Sequence, residues 1–273
     1  MRIWHQSATD LDALPQYAAS LARRFASVAS PETEVVLHGV PPGTYGSSSP
    51  AQALAYPAER HRVAGLVLRQ IEQAERESFD AVMIASFAEP ALREARASID
   101  IPVTSMAESS LLAGCSVASR VGIVTIGLAG VGLLQESVAR HKLESRVASV
   151  VELMPTLTEF DLQRAFKEPD AVRASFEQAC RVAIDAGADV IIPGEGVLNE
   201  LVVQLGIKEV DSVGVLDAIA VTVLHTEMLV HAYRRAGLRT GRRWEYSRVP
   251  ADLRRALDTP RAGNAEPSAN KRQ

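Results

Sequence analysis

The chemistry-bearing residues of this chain come in two matched sets. Asp80-Ala-Val-Met-Ile-Ala-Ser86 leads from an acid to a hydroxyl in six residues, and Asp189-Val-Ile-Ile-Pro-Gly-Glu195 leads from an acid to a carboxyl in six. A further 22 residues on stand Glu108 and Asp217, each after a short strand-like run (102–105 and 213–216) and at the start of a helix. One offset of 109 residues therefore relates a strand, a helix, a second strand and an acid. Such a repeat predicts two similar α/β lobes about a pseudo-twofold axis. Ser86 and Glu195 then occupy equivalent strand ends, where open α/β sheets bind ligands, and face one cleft from opposite sides. Two groups on opposite faces of a bound carbon suit proton transfer α to a carbonyl, one removing the proton and the other replacing it.

Glu195 is the candidate general acid/base. It follows Pro193-Gly194 and precedes Gly196, so the amides of a following helix N-terminus could hold a carboxylate or an enolate oxygen. Burial would raise its pKa from about 4.3 toward neutrality. The plainer role is a cap on a helix over 197–205. Ser86 is a poor base without a neighbouring one, so it is expected to donate a hydrogen bond to the substrate, or simply to cap. Gln6, Ser7 and Thr125, at the ends of matching first strands (3–7 and 123–127), could bind a carboxylate or amide by neutral hydrogen bonds. Phe87, Ile126, Gly196 and Val197 are expected beside them. Tyr45 belongs to a long Pro/Gly/Ser-rich loop, 41–57, that could be a lid. Glu108 and Asp217 read as helix-start caps.

Other chemistry is not indicated. The six histidines have no metal-ligand spacing. Cys115 and Cys180 fall in helices as small packing residues. Gly127-Leu-Ala-Gly130 and Gly194-Glu-Gly196 match no nucleotide-binding loop. The residues indicate neither a metal site nor a nucleotide.

The elements that must position these residues alternate. Strands are expected at 2–6, 34–40, 81–86, 102–105, 121–126, 150–153, 190–193 and 213–216, several of them continuously apolar as in sheets buried on both faces. Helices are expected at 58–77, 169–186 and 217–236, with Pro15 and Pro57 in first-turn positions. The fold class is α/β, with parallel sheets flanked by helices. The expected lobes are 1–118 with 217–250, and 119–216, followed by a disordered polar tail at 259–273.

Composition narrows the function. The 273 residues carry 29 Lys and Arg against 33 Asp and Glu, a net charge of −4, which offers no footprint for nucleic acid. No apolar run reaches the ~20 residues of a membrane helix, and the first residues do not read as a signal peptide. A cytoplasmic protein is expected, and a homo-oligomer on symmetry statistics alone.

Over about residues 2–250 the chain resembles the Asp/Glu/hydantoin racemase superfamily, most closely its hydantoin-racemase-like branch. The resemblance rests on Ile3-Trp4-His5-Gln6-Ser7, on 80–90, on Met106-Ala-Glu108, on 121–126, on Gly187-Ala-Asp-Val-Ile-Ile-Pro-Gly194 and on Tyr246-Ser-Arg-Val-Pro250. It implies two lobes, an active site between them and no metal or organic cofactor. Racemases of the family use two cysteines, which match Ser86 and Glu195, and neither is cysteine here. Arylmalonate decarboxylases of the superfamily keep only one. A thiol near pKa 8.5 exchanges its proton at neutral pH, whereas a serine hydroxyl does not. The reading is an isomerase or racemase moving a proton on a small carboxylate or cyclic amide through Glu195. A one-base lyase or decarboxylase, a small-amide hydrolase and a non-catalytic binding relative stay open.

Overall fold

The computed structural model describes residues 1–258; the expected tail, 259–273, lies outside the described residues. Among the described residues nine strands form two sheets: β1 (Arg2–Gln6), β2 (Glu34–His38), β3 (Ala81–Ile84) and β4 (Val103–Ser105), then β5 (Val121–Thr125), β6 (Val147–Glu152), β7 (Val190–Pro193), β8 (Glu209–Val210) and β9 (Val213–Val215). The first sheet runs β2-β1-β3-β4 and the second β6-β5-β7-β9-β8. Removing β8 leaves the same order twice, with every pair parallel. The β3 and β7 strands, Ala-Val-Met-Ile and Val-Ile-Ile-Pro, are wholly buried, as strands covered on both faces must be.

Backbone bonds locate the equivalence. The Ala85 N–H donates to Gln6 O at 2.8 Å, and the Gly194 N–H donates to Val124 O at 2.7 Å. Ser86 and Glu195 are thus the next residues in matching places. The same bonds match Gln6 with Val124 and Ser7 with Thr125. That corrects the pairing of 3–7 with 123–127 by two residues, a slip that apolar runs without alternation cannot expose.

Local chemistry explains the helices. Pro57–Arg76 opens on a first-turn proline and buries Val63, Val67, Ile71 and Ala74 at helical spacing. The 41–57 stretch, expected as a loop, contains a short helix, Pro50–Leu54, closed by a reciprocal cap between Ser49 and Gln52. The antiparallel β8 was not expected from the sequence. It joins β9 through Asp211 and Ser212, both with positive φ (48° and 66°), a hairpin turn usually flagged by glycine or asparagine.

The closing helices cross between lobes. Met106–Val117 follows β4 yet lies against the second sheet: a Cβ on Gly114 would stand 2.8 Å from Val121 and 3.6 Å from Val190 and Ile192. Ala218–Arg235 follows β9 yet packs on β3 and β4, where the Thr226 and Thr104 hydroxyls meet at 2.6 Å. One large apolar core therefore runs through both sheets, and a second covers the outer side of the first.

Candidate active site

A cavity of about 80 Å³ lies where the carboxyl ends of the two sheets meet. Ser86, Phe87, Thr125, Ile126, Glu195 and Gly196 line it, joined by Tyr17 and Glu159 and roofed by Pro50, Ala51 and Leu54. Ser86 and Glu195, 109 positions apart in the chain, thus share one cavity because each strand delivers the residues after it to the same edge.

Glu195 is both a cap and a cavity residue. It is the N-cap of Gly196–Gln204, and its Oε2 accepts the Leu198 N–H at 2.7 Å. Burial pushes its acid up, and the nearby Glu159 carboxyl adds to the rise, against the opposing amides of Leu198, Val197 and Gly196; the net value is about 8. The side chain keeps some exposed surface, and that surface faces a narrow cavity, so poor solvation and the raised pKa agree. The amides expected to hold a substrate oxyanion are instead turned on Glu195 itself.

Across the cavity, Ser86 Oγ accepts the Ala88 N–H at 3.3 Å, which leaves the hydroxyl proton for a ligand oxygen. Thr125 donates to Gly194 O at 3.2 Å and braces the turn that carries Glu195. Gly196 is required where it stands, since a Cβ there would collide with the Tyr17 hydroxyl. Burial, reinforced by Glu195 and Glu200, drives that phenol well above its ordinary pKa, so Tyr17 stays protonated.

Other expected site residues are placed elsewhere. The Gln6 amide is committed to the Trp4 indole N–H at 2.8 Å, to Ser7 O at 3.0 Å and to Gln70 at 2.9 Å. Ser7 Oγ accepts the Thr9 N–H at 3.0 Å. The Tyr45 hydroxyl donates to Ala8 O, one residue behind the wall. Val197 is buried in the core. Asp217 does cap its helix, accepting the Ala220 N–H at 3.0 Å. Glu108 does not: Ser105 is the cap, and Glu108 pairs with Arg96 and His141. Neither cysteine reaches the cavity, and burial holds the Cys180 thiol up at about 12.

Glu159 escaped the sequence reading. Only 4% exposed, it accepts the Ala51 N–H on Oε1 at 2.6 Å, while Oε2 has no hydrogen-bond partner. Burial raises its acid against the opposing Ser49 hydroxyl and the amides of Glu159 and Ala51. Its one local signal is Thr158-x-x-Asp161, a capping box that opens the Glu159–Ala165 helix. A helix start predicts a solvated acid and says nothing of the segment that buries it.

Among the described residues no group of three or more His, Cys, Asp or Glu side chains could hold a metal ion, and no helix is long and apolar enough to cross a membrane.

Paired parallel sheets with an acid and a hydroxyl at matching strand ends define a two-lobed α/β protein with a cavity lined from both sheets. The chain belongs to the Asp/Glu/hydantoin racemase family, whose model matches residues 15–226. A hydantoin racemase from Pseudomonas sp. (strain NS671) is 27% identical over 169 residues; the match covers 60% of this chain and 66% of that protein, just under two thirds. Among solved structures, allantoin racemase from Klebsiella pneumoniae superposes with a TM-score of 0.73 at 21% identity, covering 91% of this chain and 94% of the other. Allantoin racemase from Pseudomonas fluorescens gives 0.72 at 22%, covering 91% and 97%. A glutamate racemase from Bacillus anthracis gives 0.62 at 12%, covering 85% and 82%. These likenesses are of fold.

Proposed function

We propose that this protein is a racemase that moves the proton on the carbon α to a carbonyl in a small, uncharged cyclic amide of the hydantoin type. The observation that carries the reading is Glu195, an acid held near neutral pKa on the wall of a cavity it shares with the equivalent residue of the other lobe. Ionised Glu195 takes the α-proton. The electron pair moves into the carbonyl, and Ser86 donates a hydrogen bond to the developing oxyanion. Family membership and the hydantoin racemase relative support an isomerase.

The cavity wall favours the amide over the carboxylate. Among the described residues that line it there is no Lys, Arg or His, and two are carboxylic acids. An anionic substrate there meets repulsion with no compensating cation, whereas amide N–H and C=O groups find neutral and acidic partners.

Single enantiomers of a substituted hydantoin in heavy water, followed by NMR and polarimetry, test this. Deuterium should enter the ring carbon as optical rotation falls. Absence of both would overturn the reading. A second reading, one-base decarboxylation or elimination, is favoured by Ser86, which has no base bonded to it. Loss of CO₂ from a substituted malonate, without racemisation of the hydantoin, would select it.

A further inference from the structure

Racemisation needs a proton donor on the face opposite Glu195, and the hydroxyl at the equivalent strand end is a poor one. The cavity holds a second carboxyl. Glu195 lies just past the end of β7, Glu159 opens the helix Glu159–Ala165 that comes after β6, and these two strands flank β5 on opposite sides. Both carboxyls line the cavity that Thr125 and Ile126 also wall, and they reach it from elements on either side of β5. Glu159 is held in place by the Ala51 N–H on one oxygen, and its other oxygen, buried at the cavity wall, has no hydrogen-bond partner. A buried carboxyl oxygen left without a partner costs free energy unless it is protonated or meets a ligand.

We propose that Glu159 is the second catalytic acid/base, taking the proton-transfer role that the equivalence of the lobes would assign to Ser86. The proposal rests on the reading of Glu195 above. In one direction Glu195 carboxylate removes the α-proton and its electron pair forms the enolate. Glu159, as the neutral acid, then delivers its proton to the other face of the same carbon, re-forming the C–H bond. The enantiomer runs with the roles exchanged, and one proton redistributed between the two carboxyls or through water restores the start. Two carboxyls in one poorly solvated cavity favour such a singly protonated pair, because ionising both places like charges together.

The competing role for Glu159 is to hold the Ser49–Leu54 segment over the cavity. Glu159→Gln separates the two, since the amide oxygen still accepts the Ala51 N–H but the side chain no longer transfers a proton. The measurement is the rate of racemisation and of α-deuterium uptake for each hydantoin enantiomer in heavy water, with thermal unfolding as the check on folding. Glu159→Gln should lose racemisation by at least about a hundredfold while still exchanging the α-proton of one enantiomer with retention. Glu195→Gln should show the same for the opposite enantiomer. Ser86→Ala should slow racemisation and exchange of both enantiomers alike, by about 10²–10³-fold as loss of one oxyanion donor does, with no one-sided exchange.

Racemisation at wild-type rate in Glu159→Gln overturns the proposal, as does a folded Glu159→Gln protein that loses exchange of both enantiomers alike, the mark of a binding role. Were Glu159→Gln not to fold, Ser86→Ala decides: its loss of racemisation with one-sided exchange retained would make Ser86 the second base. No exchange by the wild-type protein would instead overturn the underlying reading of Glu195.

Discussion

At the scale of single residues, one carboxyl combines a common structural task with an uncommon chemical one. Glu195 caps a helix as many helix-start acids do, but burial and a neighbouring carboxyl hold it at about 8. Two outcomes follow for Glu195→Gln. If the carboxylate removes the α-proton, kcat/KM of the wild-type protein rises with pH through a limb centred near 8, because deprotonation creates the active form. The variant should lose turnover and show no such limb; a variant that keeps full activity sinks the mechanism. Stability moves the other way. The folded pKa lies above the unfolded one, so the contribution of Glu195 is fully present below the unfolded value and is lost as pH rises through about 8. Glutamine mimics the protonated acid, so above that pH the variant should melt at a higher temperature than the wild-type protein. A lower melting point there would show that the carboxylate is tolerated after all.

At the scale of elements, β1 carries a cost that its sequence does not announce. His5 is fully buried on this strand, neither ring nitrogen has a partner, and burial holds its pKa down at about 3, with His38 a lesser contributor. The unfolded chain binds a proton near the ordinary value of 6.5 and the folded protein does not. Stability is therefore complete above 6.5 and falls as pH drops toward 3, by about 1.4 kcal/mol per pH unit at the limit. His5→Leu should flatten this slope in chemical denaturation between those pH values. An unchanged slope would mean that other groups dominate acid unfolding. The Pro50–Leu54 helix shows the same gap between pattern and position. Its capping box is local and legible, but its place over the cavity is set by tertiary contacts, among them the bond from Ala51 to Glu159 in the other lobe.

At the scale of the molecule, the two lobes share helices, a core and a buried polar network. Glu89, on the first lobe and 3% exposed, accepts bonds from Ser105 and Ser137, from Arg140 at 3.0 Å and from His141 at 2.8 Å. Burial alone would raise its acid, but His141 and the two hydroxyls outweigh it and hold the pKa below the ordinary range. The three donors other than Ser105 come from the Gly127–Arg140 helix and its end, on the second lobe. Glu89→Ala takes the carboxylate from Arg140 and leaves His141 only the more distant Glu108 at the junction of the lobes. It should cost about 3 kcal/mol or more in urea unfolding, as loss of one partner of a buried ion pair does. A loss under about 1 kcal/mol would mean that solvent replaces the network. Because the cavity is walled by both lobes, substrate affinity should fall with stability in this variant.

The repeat at an offset of 109 was enough to state two α/β lobes and to bring Ser86 and Glu195 to equivalent places, because strand and helix periods and the spacing between them are properties of the chain alone. Pro15 and Pro57 marked helix starts for the same local reason. The register of the first strands was not legible, since runs of buried apolar residues look alike when shifted by two. Nor was the loss of Gln6 and Ser7 from the cavity, because their partners, Gln70 and Thr9 among them, are assigned by packing. Glu159 is the clearest case. Its residue type and helix-start position are ordinary, and only the approach of Ala51 from a segment 108 residues away buries it beside Glu195. Proton affinity depends on what surrounds a group in space, and neighbours brought together across so long a separation are decided by the folded chain.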